Sequence, residues 1–485
     1  MICEFEKTDT PEGKLQHWIC PKCNTIRKCN NRPIGRQCGP DVQKSGPSLI
    51  TKAVNLASAV VTAASDSFTQ CSQAEVNERL AICAGCNKYD SEKNTCTGCG
   101  CSLGYKPTLR AWDCPDKKWP KLVRHPNKPV TVMLMTNGLH NIGGIERWIA
   151  SLVKNLPAVS ENKVIVGSVV VASNWELGTK LVGELQKYCR VLVAPTEGTN
   201  KQALEQSLRE TDVVVVSGMG GNFKSLLEGY SGKVVWVCHS CCKYSYDYSR
   251  EALETGLVTN WASVGSLAVD IFPQEIKPDV TVIENGVDVE RCLPMKGRER
   301  QRAEWGFSDS DILIGYVGRL SKEKRPEALA EALKYLPSHI KGVVVGEGVD
   351  EDLIKQNMEL EATGRIKYIP SKVMLGDCFA ALDLGIIASP AEGFCLVRAE
   401  MQAAKLPLVS TPTGEVPALE EAHGPLTWVI EIGATGQEIA NTILQALNSD
   451  QERDIRANRA QAIVLENYTS QAMAQRWVNY LQELI

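Results

Sequence analysis

The chain has 485 residues, room for about three domains. Its composition is that of an ordinary globular protein, with 44% hydrophobic and 23% charged residues. The net charge of -4 by itself implies neither a nucleic-acid nor a membrane partner.

Charge and cysteine are unevenly distributed. Residues 1–128 carry 19 Lys+Arg against 12 Asp+Glu; the remainder carries 34 against 45. Twelve of the 19 cysteines fall at or before Cys114. The opening "MICEFEKTDTPEGK" is charged from Glu4 and lacks the apolar core of a secretory signal, so a cytoplasmic location is expected. "SLITKAVNLASAVVTAASDSF" is too polar to span a bilayer. An amphipathic helix is expected over Ser48–Phe68 within it. Clustered thiols in a reducing compartment point to metal binding rather than to disulfides.

Two clusters carry that reading. The first is Cys20-x2-Cys23 followed by Cys29 and Cys38; the second is Cys83-x2-Cys86 followed by Cys96-x2-Cys99. Each CxxC turn presents two sulfurs from one tight bend, and two such turns close a tetrahedral zinc site. The expectation is one or two structural zinc ions. Cys101 and Cys114 compete for membership of the second site. The stretch from Ala81 to Pro120 resembles small zinc modules of bacterial and phage proteins, which implies zinc and no substrate. The basic excess invites nucleic acid. Four-thiolate zinc sites are themselves anionic, however, and offset part of that excess. A protein partner or peripheral membrane contact through this module also stays open.

"RHPNKP", Arg124 to Pro129, reads as a linker. Beyond it, apolar runs alternate with amphipathic segments. The strand-like runs are "VTVMLMT", "KVIVGSVVVAS", "RVLVAP", "DVVVVSG", "KVVWVCHS", "WASVG" and "VTVIENG", and from Ile312 "ILIGYVGR", "GVVVGEG", "IKYIP", "LGIIAS", "LPLVST" and "TWVIEI". Runs without polar alternation fit parallel strands buried on both faces. The predicted class is α/β: two doubly wound Rossmann-like domains behind a small zinc-binding module. The predicted boundaries are 1–122 for the module, 128–290 and 291–470 for the two domains, and 471–485 for a terminal helix that crosses back onto the first of them.

In the second domain "ILIGYVG" ends at Gly318, and Arg319 and Lys324 flank the turn that follows. Anions collect at such strand ends, facing helix N-termini. Further on, "SPAEGFCLVRAEM" places Glu392 and Glu400 on either side of a turn and a helix start. Gly393 permits close backbone approach. The amides around Phe394, Leu396 and Val397 form an anion cradle.

These residues, with "VIENGVDVERC" and the "TNGLHNIGGIERWIASL" loop, resemble the retaining nucleotide-sugar glycosyltransferases of the GT-B fold, glycosyltransferase family 4, over about Val130 to Ile485. The resemblance implies roles. Arg319 and Lys324 bind the donor diphosphate, Glu392 the donor sugar and Glu400 the ribose. Gly318 and the Leu396 and Val397 amides hold phosphate, and Gly143 and Gly144 approach the donor. His239 faces the sugar. Independently of the resemblance, Glu146 reads as a cap for the helix after that loop. The donor is a nucleotide-diphosphate sugar, and no catalytic metal is expected. The acceptor stays open among lipid, polysaccharide, protein and nucleic acid. The chain departs from the pattern at Cys395 and Lys405, where the family has glycine, at Ala418, and at Arg398, which charges an apolar segment. Two alternatives stand beside this reading: a GT-B nucleotide-sugar epimerase, and a zinc-module adaptor carrying an inactive transferase body.

Overall fold

A computed structural model describes residues 6–7, 17–19, 26–28, 73–86, 89–90, 95–96 and 129–485, the last range without 141–142, 174–177, 194–197, 349–363 and 371–372. The chain divides into two units, Met1–Arg124 and His125–Ile485.

In the first unit, β1 (Glu6–Lys7), β2 (His17–Ile19) and β3 (Ile26–Lys28) form an antiparallel ladder in that order. The connection from β2 to β3 contains the Cys20-x2-Cys23 motif. A helix, Gln73–Ala84, runs into a turn in which the Cys86 amide donates to the Cys83 carbonyl at 2.9 Å. Next, β4 (Tyr89–Asp90) pairs antiparallel with β5 (Thr95–Cys96). The expected helix over Ser48–Phe68 lies outside the described residues.

The second unit holds two parallel sheets. In the first, β6 (Val130–Thr136), β7 (Val164–Val171), β8 (Arg190–Val193), β9 (Val213–Ser217), β10 (Lys233–Cys238), β11 (Asn260–Ser263) and β12 (Val280–Val282) lie in the order β12-β11-β10-β9-β6-β7-β8. In the second, β13 (Ile312–Val317), β14 (Ile340–Val345), β15 (Ile366–Ile369), β16 (Leu384–Ile387), β17 (Leu408–Ser410) and β18 (Trp428–Val429) lie in the order β15-β14-β13-β16-β17-β18. All these pairings are parallel. Helices cover the sheets, so central strands bury both faces: all five residues of β9 and all four of β16 are buried. Runs of apolar and small residues satisfy that demand.

This strand order reverses direction at two places, between β6 and β9 and between β13 and β16. Chain connections leave the sheet in opposite directions there and open a crevice at the carboxyl ends of the strands. The loops after β6, β13 and β16 therefore border the crevices where ligands of such sheets bind.

The terminal helix Ser470–Glu483 packs on the helix Gly144–Val159, with the Trp477 and Trp148 rings edge to face at 5.5 Å. Among the described residues, no helix is long and apolar enough to cross a membrane.

Two departures from the resemblance acquire a structural reason. Cys395 has φ 68° and Lys405 φ 60°, both left-handed. The helix Leu396–Ala403 begins directly after Cys395. It ends in a Schellman turn: the Lys405 amide donates to the Gln402 carbonyl and the Leu406 amide to the Met401 carbonyl, both at 2.9 Å. Glycine takes this conformation without the Cβ clash that costs an L-residue roughly 1–2 kcal/mol. Lys405 is exposed, so its side chain gives back little. Lys405→Gly is expected to stabilise the fold by about 0.5–1 kcal/mol, once glycine's greater unfolded-state freedom is subtracted. Denaturant titration measures this, and a lower midpoint contradicts it.

Candidate active site

The crevice between β13 and β16 brings Lys324 to Glu392. Lys324 lies in a short turn after β13, and Glu392 lies in the loop after β16. The Lys324 Nζ donates to Glu392 Oε1 at 2.8 Å. Their side chains are 26% and 11% exposed. Burial alone would lower the Lys324 pKa; the charge of Glu392 and its hydrogen bond outweigh that and raise it. Lys324 is thus a fixed cation at the strand ends. Arg319 is different. It is exposed, and its only described ion pair is a loose one with Glu323 at 3.7 Å. Such a pair holds a side chain weakly.

Gly318 and Gly346 form a close backbone crossing: a Cβ on Gly346 would lie 1.9 Å from the Gly318 oxygen. Gly393 makes a close approach to the other sheet. A Cβ there would lie 2.3 Å from the carbonyl oxygen of His239, on the first sheet, and a Cβ on Gly265 would lie 2.1 Å from the Gly393 oxygen. The Glu392 loop thus meets backbone of the first sheet with no room for a side chain on either glycine. The Cys241 thiol donates to the Glu392 carbonyl at 3.1 Å. Its pKa is pushed up to about 12, first by burial and then by Glu392, so it remains a neutral donor. Beyond this loop, the Ser266 amide donates to Glu415 Oε1 at 2.5 Å, a second contact between the halves.

Leu396 and Val397 open the helix Leu396–Ala403 and are half-buried. Phe394 is buried, with its ring 5.6 Å from that of Tyr468, so its side chain is a core element. Arg398, the unexpected charge, is wholly buried. It donates to Gln402 Oε1 at 2.6 Å, and its guanidinium carbon lies 5.3 Å from the Phe394 ring centroid.

On the first sheet, the loop after β6 leads to Gly143 and Gly144 at the start of the helix Gly144–Val159. A Cβ on Gly143 would lie 1.9 Å from Glu146 Oε2, and the nearest atom to one on Gly144 is Leu396 Cδ1 at 3.8 Å. Glu146 accepts from the His140 amide at 3.2 Å and so closes this loop; no side chain caps the helix at Gly143. His239 is half-buried. Its Nε2 lies 2.9 Å from Ser217 Oγ, and its ring meets Trp148 edge on at 4.8 Å.

Burial lowers the His239 pKa from 6.5 to about 3, so the imidazole is neutral at ordinary pH. It can exchange hydrogen bonds with a ligand but carries no charge. The sign of its linkage follows. The unfolded chain takes up this proton near pH 6.5 and the folded chain only near pH 3. Its contribution to stability is complete above the upper value and drains as pH falls toward the lower one. His239→Gln is expected to flatten the acid loss of thermal stability in that window. An unchanged profile of melting temperature against pH refutes this.

Glu400 is 4% exposed. Its carboxylate is held by Arg147 from the first turn of the helix Gly144–Val159, with Nη1 at 3.0 and 3.2 Å from the two oxygens. Arg147, Ser217, Trp148 and Cys241 were not among the residues expected from the sequence. Arg147 stands in the quoted "GGIER" run, and Ser217 closes the valine run of β9. Those positions were the only hints.

Of the eight cysteines expected to bind zinc, Cys83 and Cys86 are half-buried in one turn, and Cys96 lies in β5. Cys20, Cys23, Cys29, Cys38 and Cys99 lie outside the described residues, as do Cys101 and Cys114. Among the described residues no three metal-binding groups converge. A cavity of about 690 Å³, lined by Thr131, Gly167, Tyr188 and Arg190, opens toward the amino ends of β6 to β8, away from the crevices.

Residues 297–462 match the family described as Glycosyl transferases group 1. The chain is 24% identical over 207 residues to N-acetyl-alpha-D-glucosaminyl L-malate synthase of Bacillus anthracis, covering 42% of this chain and 54% of that protein. It is 31% identical over 181 residues to D-inositol 3-phosphate glycosyltransferase of Corynebacterium jeikeium, covering 32% and 42%. The chain thus spans about half or less of the curated relatives it matches. Among solved structures, Anabaena HepE in complex with UDP-glucose aligns with a TM-score of 0.61 at 20% identity, over 73% of this chain and 99% of that one. WaaG, a glycosyltransferase involved in lipopolysaccharide biosynthesis, aligns with a TM-score of 0.55 at 15% identity, over 72% and 99%. The two parallel-sheet domains accordingly have the GT-B fold of these structures, and residues 297–462 match the glycosyl transferases group 1 family model.

Proposed function

We propose that this chain is a retaining, metal-independent glycosyltransferase that moves a sugar from a nucleotide-diphosphate sugar to an acceptor. The observation that carries the reading is the Lys324–Glu392 pair at 2.8 Å, set at the β13/β16 crevice beside the helix start at Leu396. The structural relative in complex with UDP-glucose supports a nucleotide-sugar donor.

In this reading Lys324 and Arg319 lie on the diphosphate, the Leu396 and Val397 amides add hydrogen bonds, and Glu392 contacts the sugar. The bond from the anomeric carbon to the diphosphate oxygen breaks, and negative charge builds on the leaving group. Cations already in place stabilise that charge without reorganising. The acceptor oxygen bonds to the anomeric carbon on the face the leaving group vacates, and its proton passes to the departing diphosphate. The Asp309-x-Asp311 run supports the metal-independent assignment because it lies elsewhere. It precedes β13, at the end of the strand opposite the crevice. Arg302 donates to the Asp309 and Asp311 carbonyls, and Asp311 accepts the Ser308 amide at 2.8 Å.

The test is a panel of nucleotide sugars screened by thermal shift, with released nucleoside diphosphate and the anomeric configuration of the product then measured. Binding and turnover of one donor with retention support the reading. Isomerised donor in the absence of acceptor favours an epimerase instead, and no binding to any donor defeats both.

For the first unit, we propose structural zinc held by the two cysteine clusters. The antiparallel β2–β3 pair brackets Cys20 and Cys23, and the Cys83–Cys86 turn presents two thiols from one bend. Elemental analysis of the purified chain should find one or two zinc ions. A metal-free chain with a normally folded first unit would remove the assignment.

A further inference from the structure

Glu400 and Arg147 lie 253 positions apart in the chain and come from the two Rossmann-like domains. A carboxylate that is 4% exposed needs a charged or hydrogen-bonding partner. Among the described residues its ion-pair partner comes from the N-terminal Rossmann-like domain. A single nitrogen, Nη1, reaches both carboxylate oxygens, at 3.0 and 3.2 Å. Each oxygen has two lone-pair directions, so the contact occupies about half of the accepting capacity of Glu400. The Arg147 side chain is 32% exposed, so the pair borders open space rather than closed core.

We propose that Arg147 is a positioning residue for nucleotide recognition: it fixes the Glu400 carboxylate from behind, so that the remaining lone pairs accept the ribose hydroxyls of the donor. Because the two residues belong to different domains, ribose recognition is complete only when the domains are closed. The inference rests on the assignment of Glu400 to the ribose made above. It adds a residue from the other domain and a coupling between closure and sugar-ring selectivity. A purely structural bridge would have no reason to affect the choice between ribose and deoxyribose.

The experiment uses the full chain and calorimetric titration with UDP, GDP and ADP and their 2′-deoxy forms. Wild type is expected to bind one of the ribonucleotides at least about tenfold more tightly than its deoxy form, the discrimination expected when a buried polar group loses its partner. Arg147→Gln is expected to weaken the ribonucleotide about tenfold and to bring the two forms close to parity. In turnover assays the donor KM rises more than kcat falls. Arg147→Lys, which restores the charge but not the planar fork, recovers part of the discrimination. If Arg147→Gln fails to fold, Arg147→Met, which keeps an apolar stem, takes its place. A neutral variant that keeps the wild-type ratio of ribo to deoxy affinity overturns the inference. The underlying assignment fails separately: if Glu400→Gln keeps both affinity and ratio, or if wild type shows no ribose preference, Glu400 does not read the ribose, whatever Arg147 does.

Discussion

Lys324→Ala is expected to lower donor turnover by about 10²–10³-fold, the scale set by removing one preorganised group that stabilises developing charge. Two effects add. The variant loses the cation proposed to lie beside the leaving diphosphate. It also strips Glu392, 11% exposed, of its partner at 2.8 Å, so the carboxylate proposed to contact the sugar is left buried and unaimed. Arg319→Ala should act less severely. Arg319 is exposed and loosely paired at 3.7 Å, so it must be ordered by the ligand and contributes less preorganisation. Steady-state kinetics on the donor identified in the screen decide this. Wild-type turnover in both variants would sink the diphosphate assignment, and Arg319 as the costlier loss would reverse the ranking.

Gly393→Ala is expected to reduce turnover by about 10²-fold, the scale of an ångström-sized misplacement of reacting groups. The new methyl, fixed to its Cα, would lie 2.3 Å from the His239 carbonyl oxygen, a backbone atom, so neither can rotate aside. The Glu392 loop must therefore retreat from the first sheet, which carries Glu392 away from Lys324 and opens the crevice. Neither sheet core is touched, so circular dichroism and melting temperature should change little compared with activity. Gly265→Ala attacks the same junction from the other side, 2.1 Å from the Gly393 oxygen, and should give the same pattern. Full activity in both variants would show that this close approach is not needed for turnover.

The strands were legible because their cause is local. A parallel strand covered on both faces by helices leaves little place for polar side chains, so the predominantly apolar runs of β6, β9 and β13 announce themselves. Lys324 and Glu392 were legible as candidates because each stands where a strand gives way to a turn. Their pairing was not legible, because 68 residues separate them. Arg147 was passed over for the same reason: an arginine on a first helical turn looks like a solvated charge until its partner is known. Cys395 and Lys405 were visible as oddities but not explained. Only the backbone shows that both occupy left-handed positions, which is why glycine is the residue the family resemblance leads one to expect there.

By itself, then, the sequence determined the alternation of strand and helix, the two doubly wound sheets, the turns that carry Arg319, Lys324 and Glu392, the helix start that carries Glu400, and the concentration of cysteine in one region. These depend on periodicity, on side-chain volume and on a few residues of separation. Only the tertiary structure decided that Glu392 answers to Lys324, that Glu400 answers to Arg147 from the other domain, and that Gly393 must be bare because His239 stands against it. Hydrogen bonds and steric exclusion act over about 3 Å, whereas the residues they join here are 68 to 253 positions apart, and no local pattern in a chain encodes which distant turn will arrive at that distance.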